Sequence, residues 1–280
     1  MFKSVGLVGV GAMGQALLHR LVLAGIKVKA YDISEERMAE ARKLGAQTVE
    51  SAAAASRDVD AIHLFVRTDK EEIEATTGPG GILDGVTAGT VVLLHSTVLP
   101  ETTRHVAEAA ARVGVDVLDA PVTTVPRNFR TGEGVFLVGG AAEVLAQVRP
   151  HLEILGKHIY YFGPLGSGNT AKIAKNSINA IERIALSEVI AIAEAGGLQV
   201  RDFLEMAAAT DQGSAVARWE RAFSIQDNHA VPRPASNVLN KDIGLAADLA
   251  NASGLRSPIT QAAADIAKVW VAGWELQNRR

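Results

Sequence analysis

The stretch VGLVGVGAMGQALLHRLVLAGIKVKAYD, residues 5–32, leaves this chain few folds to choose from. An apolar run reads as a buried strand, Gly9-x-Gly11-x-x-Gly14 follows it, and a run with helical periodicity leads into a second strand ending on Asp32. A GxGxxG pattern alone is weak evidence, since glycine fills 26 of the 280 positions. Between a strand and a helix, each part has a task. Gly9 permits the tight turn, Gly11 lets the backbone approach a pyrophosphate, and Gly14 lets helix and strand pack closely. The free N–H groups at the helix start, around Ala12 and Met13, face the phosphates. Asp32, 18 residues after Gly14, accepts hydrogen bonds from the adenosine ribose and repels a 2′-phosphate. That favours NAD over NADP, although Arg37 lies five residues further on.

The first half continues the alternation. DAIHLFV, TVVLLHS, VDVLDAPV, GVFLVGG and IYYFG read as strands, with helical runs such as SEERMAEARKLG and PETTRHVAEAAARVG between them. Such alternation predicts a mostly parallel, doubly wound sheet. From about Thr170 to Arg280 the periodicity is helical, broken by EAGGLQV, NHAVPRPAS and ASGLRSP. The expected architecture is α/β: a Rossmann-type dinucleotide-binding domain over 1–163, then an all-α domain over 164–280 opened by a long interdomain helix.

Composition removes whole classes of function. A net charge of −3 without a basic block argues against nucleic-acid or membrane-surface partners. The absence of cysteine excludes disulfides and thiolate chemistry and fits a reducing compartment. Seven scattered histidines, with no HxH or HxxxH pair, predict no protein-held metal. The most apolar helical run, AIERIALSEVIAIAEAGG, carries Glu182, Arg183, Glu188 and Glu194, so no membrane span is expected. Lys3 ahead of an apolar stretch imitates a signal peptide, but Gly6, Gly9, Gly11 and Gly14 interrupt it. A cytoplasmic protein is expected.

The helix that opens the second half, GSGNTAKIAKNSINAI, places Lys172, Asn176 and Asn179 at i, i+4 and i+7, with Lys175 beside them. Most such stripes are solvated faces. A nicotinamide enzyme, however, needs a proton donor or acceptor at the reacting oxygen. Without cysteine or metal, the candidates are Lys, His, Tyr or a carboxylate. Lys172 follows the domain junction directly, and a second cation, Lys175, would lower its pKa if it pointed inward.

These segments, with GPGGIL (78–83), STVLPET (96–102), DAPVTTVPRNFRTGEGVFLVGG (119–140) and NKDIGLAADLANASGLRSPI (240–259), resemble in order and spacing the β-hydroxyacid dehydrogenase family of 3-hydroxyisobutyrate dehydrogenase and tartronate semialdehyde reductase, which is also 6-phosphogluconate dehydrogenase-like. The resemblance covers nearly the whole chain. It implies a catalytic lysine at Lys172 and a substrate-orienting amide at Asn176. It also implies cofactor contacts near Thr97 and at Lys241, a small anionic substrate, and a homodimer or homotetramer.

Three departures stand out. The family's substrate loop usually reads D-x-P-V-S-G-G; here Thr123 keeps the hydroxyl, while Thr124 and Val125 replace both glycines, and β-branched residues resist positive φ. Arg127 and Arg130 follow at once, where either an anion contact or a solvated loop arginine fits. Val66-Arg67 stands where the family often has Leu-Pro beside the cofactor, and Lys175 stands where a first asparagine is usual. The expected activity is NAD-dependent interconversion of a small β-hydroxyacid and its semialdehyde or ketone. Two rivals are an imine reductase of the same architecture, against which Lys172 counts, and a non-catalytic dinucleotide-binding protein.

Overall fold

The central strand-like runs of the first half, around Val5, Ile62 and Val92, are buried on both faces, the pattern of a parallel sheet covered on both sides. The computed structural model describes residues 2–233 and 237–278. It divides into two units, Met1–Lys172 and Ile173–Arg280.

In the first unit β1 (Ser4–Val8), β2 (Lys27–Tyr31), β3 (Gln47–Thr48), β4 (Ala61–Leu64), β5 (Val91–Leu94) and β6 (Asp116–Asp119) form one sheet in the order β3-β2-β1-β4-β5-β6. Every neighbouring pair is parallel. The order reverses between β1 and β4, so a crevice opens there at the carboxyl ends of the strands. Helices α1 (Ala12–Leu23), α2 (Glu35–Lys43), α3 (Ala52–Ser56), α4 (Asp69–Thr77) and α5 (Pro100–Ala111) link the strands. After the short α6 (Pro126–Arg130), β7 (Gly134–Val138), α7 (Ala142–Leu155) and β8 (Gly156–Tyr161) add a separate parallel pair. Bridges from Asp119 to Gly139 and from Val122 to Phe136 tie it to the end of β6.

The second unit is helical, as the periodicity predicts. Helix α8 (Ser167–Ala195) begins in the first unit and supplies the second from Ile173 onward. It is followed by α9 (Val200–Ala208), α10 (Gly213–Glu220), α11 (Asn237–Ala252) and α12 (Pro258–Asn278). One core gathers Ile190, Val200, Leu204, Val216, Trp219 and Phe223; the other is lined by small residues such as Ala180, Ala247, Ala263 and Ala267. One element departs from the helical expectation. A hairpin of β9 (Phe223–Gln226) and β10 (His229–Pro232) turns on Asp227 and Asn228, whose φ values are 47° and 66°. Positive φ at both central residues makes this a tight hairpin turn, which Asp and Asn tolerate.

Buried against the main sheet lies a chain of three histidines. Residue alternation in β4 sends Ile62 and Leu64 to one face and His63 to the other. His95 Nδ1 lies 2.7 Å from the Ala120 carbonyl oxygen, His95 Nε2 2.8 Å from His63 Nδ1, and His63 Nε2 2.9 Å from His151 Nε2. A carbonyl only accepts, so His95 donates from Nδ1; burial favours neutral rings, in which His95 accepts at Nε2, His63 donates from Nδ1 and His151 donates from Nε2. Burial is the main cause that pushes His95 and His151 down to about 4, and it holds His63 well below its ordinary value. A ring that stays neutral in the fold but charges near pH ~6.5 when unfolded contributes stability that is complete above that pH. Urea unfolding should therefore give a constant free energy above neutrality and a steady loss as pH falls from ~6.5 toward 4, of at most roughly 3 kcal/mol per ring. A stability flat across that range would contradict neutral, buried histidines.

Candidate active site

The three glycines of the motif have different reasons to be glycine. Gly9 has φ +90°, and a Cβ there would run into the Phe65 carbonyl just beyond β4. At Gly14 a Cβ would strike the Gly9 carbonyl, so this glycine lets α1 close onto β1. Gly11 is the opposite case: a Cβ there meets no protein atom within 4 Å. Nothing in the protein's own packing requires glycine at that position, and the open space lies at the start of α1, which no side chain caps. The first N–H groups of that helix, at Ala12 and Met13, have no intrahelical acceptor by geometry. An open cradle at a helix N-terminus fits a pyrophosphate, so the residues present suit a dinucleotide.

Asp32, at the end of β2, is 7% exposed. Its carboxylate accepts from Val10 N–H at 2.7 Å and Ser34 N–H at 2.9 Å, and Arg37 Nη1 lies 3.5 Å away. The residue expected to meet the ribose thus also pins the glycine loop to the second strand. At the end of β4, Val66 N–H donates to Ser96 Oγ at 3.1 Å, while Arg67 is exposed and its N–H donates to Glu71 at 2.8 Å. Thr97 follows Ser96 directly beyond β5 and is half-buried.

Around the start of α8 the chain builds a second focus. Asp119, fully buried at the end of β6, accepts from Gly166 N–H and Asn169 N–H, both at 2.7 Å. Burial pushes its carboxyl up, against the pull of these N–H donors. Asn169, also fully buried, accepts from Val98 N–H at 3.2 Å and donates to Thr103 Oγ1 at 3.2 Å. These bonds fix the first turn of α8 to the ends of β5 and β6. One turn further along, the Lys172 side chain reaches the loop after β6, where Nζ donates to the Val122 carbonyl at 2.6 Å. In that loop Thr123 N–H donates to the Val135 carbonyl at 2.9 Å, and both Thr123 and Thr124 are half-buried. Thr124 and Val125 avoid positive φ, as β-branched residues should, and Val125 instead precedes α6 with φ −105°. Arg127 and Arg130 are exposed on α6, whereas Phe129 is buried against Phe136.

In the second unit Asn176 is buried, and its Nδ2 donates to Asp242 Oδ2 at 2.6 Å. Lys175 Nζ reaches Asn176 Oδ1 at 3.3 Å, and Lys241 Nζ lies 3.6 Å from the other Asp242 oxygen. Partial burial lowers the Lys175 pKa, with Asp242 opposing and Arg218 adding to the shift. The structure thus joins Lys172 to the loop that bears Thr123, and Asn176 to Lys241 through Asp242. Asp119, Asn169 and Asp242 were not singled out by sequence, although all three lie inside the motifs quoted above. Among the described residues no cluster of side chains suits a metal ion, and no helix is long and apolar enough to cross a membrane.

The chain is similar to known proteins over most of its length. Residues 4–163 match the model of the NAD binding domain of 6-phosphogluconate dehydrogenase, and 166–276 match that of the NAD-binding domain of NADP-dependent 3-hydroxyisobutyrate dehydrogenase. A 2-(hydroxymethyl)glutarate dehydrogenase of Eubacterium barkeri is 29% identical, with 94% of this chain and 87% of that protein covered. A 3-hydroxyisobutyrate dehydrogenase of Pseudomonas aeruginosa is 31% identical, covering 90% and 86%. Among solved structures, Mycobacterium tuberculosis 3-hydroxyisobutyrate dehydrogenase with L-serine is 26% identical, with a TM-score of 0.82 over 97% of this chain and 94% of that one.

Replacing Asp119 should loosen the start of α8. Asp119→Ala leaves the buried Gly166 and Asn169 N–H groups without their acceptor, at a cost of about 2 kcal/mol in urea unfolding. Asp119→Asn keeps one acceptor oxygen and should fall between the alanine variant and the parent. An alanine variant as stable as the parent would show that Asp119 does not hold the helix.

Proposed function

This chain belongs to the 3-hydroxyisobutyrate dehydrogenase-like β-hydroxyacid dehydrogenases, and on that premise we propose that it interconverts a small β-hydroxyacid and its semialdehyde or ketone, with Lys172 as the general acid and base. It is an NAD-binding enzyme acting on CH–OH groups. The relatives' names point to one chemistry: 3-hydroxyisobutyrate, 2-(hydroxymethyl)glutarate and serine each carry a hydroxymethyl group on the carbon beside a carboxylate. A primary alcohol of this type is the substrate we favour.

The observation that carries the reading is the contact of Lys172 Nζ with the Val122 carbonyl. It holds the amine at the head of the loop that bears Thr123, on a helix whose start is fixed by Asp119. NAD supplies the hydride acceptor when bound. As the C–H bond of the substrate breaks, Lys172 Nζ takes the hydroxyl proton; in the reverse direction it returns that proton to the carbonyl oxygen. Asn176, its amide oriented by Asp242, hydrogen-bonds the reacting end, and Thr123 with its neighbouring backbone holds the adjacent carboxylate. The Gly9–Gly14 loop, Asp32, Val66, Arg67, Thr97 and Lys241 are the cofactor-facing positions in this reading.

The protein is proposed to work as a homodimer or homotetramer in the cytoplasm. Ile178, Val189 and Ile192 leave an exposed apolar surface on α8, and the cysteine-free sequence suits a reducing compartment. Sedimentation of the purified protein should give a dimer or larger; a monomer at micromolar concentration would remove that part of the reading.

The catalytic part is tested by following NADH formation with NAD and a panel of β-hydroxyacids. At least one should turn over, and Lys172→Ala should lower kcat by ~100-fold or more, the usual cost of removing a general base. Turnover indifferent to Lys172 would sink the mechanism. NAD binding without turnover of any panel member would favour a non-catalytic protein.

A further inference from the structure

Past the end of β5 the chain runs on through His95 and Ser96, both buried, and these two residues fasten the loops on either side. Ser96 Oγ accepts the Val66 N–H beyond β4. His95 serves the loop after β6. There the Ala120 N–H still donates to the Leu94 carbonyl at 2.7 Å, but the Ala120 carbonyl accepts from His95 Nδ1, also at 2.7 Å. A side chain thus carries on a ladder that the strands have ended. The ring is itself held. His63 Nδ1 lies 2.8 Å from His95 Nε2, Phe65 stacks on the ring at 4.5 Å, and Phe136 packs beside it at 5.7 Å. Phe136 is also the bridge partner of Val122, two residues beyond Ala120.

The Val122 carbonyl is where Lys172 Nζ donates. Helix α8 fixes the Lys172 backbone, but a flexible four-carbon stem leaves the direction of the amine to whatever receives it. We propose that His95 is a positioning residue: by holding the Ala120 carbonyl it sets the course of Ala120–Val122, and with it the place of the Lys172 amine. The inference rests on the reading of Lys172 as general acid and base. Every residue on the path, from His63 to Lys172, belongs to the first unit. Other bonds of the loop run to β7, where Leu137 N–H donates to the Pro121 carbonyl at 3.1 Å and Thr123 N–H to the Val135 carbonyl at 2.9 Å. Pro121 has no N–H to give, so after Ala120 N–H the His95 ring is the tie back to β5. One N–H suffices for this part, and the ring moves no proton in the reaction.

Asparagine and glutamine separate the two sides of the ring. The asparagine amide falls near the place of Nδ1, the glutamine amide near that of Nε2. His95→Gln therefore keeps a partner for His63 and deprives the Ala120 carbonyl, and His95→Asn does the reverse. With NAD and a hydroxyacid that the parent turns over, His95→Gln should lower kcat ~10-fold or more while both KM values stay within ~3-fold, and His95→Asn should recover most of that loss. A second readout needs no turnover. Carbamoylation of Lys172 by cyanate, followed by mass spectrometry against the exposed Lys157, should quicken at least ~3-fold in His95→Gln and stay near the parent rate in His95→Asn. Should the glutamine variant fail to fold, His95→Met, apolar and of similar length, takes its place. Equal losses of kcat in the two variants, or no loss in either, would overturn the proposal and leave the catalytic reading of Lys172 intact. If the parent turns over no hydroxyacid, the labelling decides. Quicker labelling in His95→Gln alone means that His95 positions the amine although the reaction falls; equal labelling in both variants means that it does not.

Discussion

The candidate active site depends on one buried carboxylate. Asp119 sits where β6 ends and accepts the N–H groups of Gly166 and Asn169 at the start of α8. Without it the first turn of a 29-residue helix would lose the acceptors that fix its position on the sheet. Helix N-termini favour negative charge, so the ion offsets part of its own desolvation by where it stands. Lys172 inherits this placement beside Val122, and the same helix face continues through Asn176 to Arg183. A catalytic amine on a loop would need its own supports, whereas one on a long helix needs only that the helix start be held.

A similar economy governs the cofactor end. Asp32 accepts the Val10 N–H of the glycine loop and the Ser34 N–H that follows β2. One side chain therefore shapes the glycine loop and remains the acid at the end of β2. Beside it, Gly11 faces open space while Gly9 and Gly14 are forced by neighbouring backbone. That contrast separates a glycine kept for folding from one that leaves room for something else.

Much of this was legible in the sequence because backbone constraints are local. The glycine spacing, the strand–helix alternation and the acid ending β2 all lie within one supersecondary unit, where chain geometry dictates residue type. The helical second half was legible from periodicity, but its hairpin was not: β9 and β10 are four residues each, and Asp227-Asn228 makes a weaker turn signal than a pair with glycine. Long-range partners stayed hidden for a different reason. Asn176 meets Asp242 across 66 residues and Arg183 meets Asn240 across 57. No single-chain pattern encodes such pairs. Arg183 itself looked like a charge interrupting an apolar helix, which argued against a membrane span and nothing more.

The histidine chain bears on how any kinetic titration of this enzyme is to be assigned. Histidine is the habitual suspect when a rate inflects near neutrality. Here His63, His95 and His151 have their protons allotted in sequence from a single backbone carbonyl, and none is left to exchange with a substrate. An ionisation seen between pH ~6 and 8 in turnover is not theirs. The same burial shields them from reagents that acylate imidazole, so such reagents would leave these three rings untouched in the folded enzyme and reach them only after it opens.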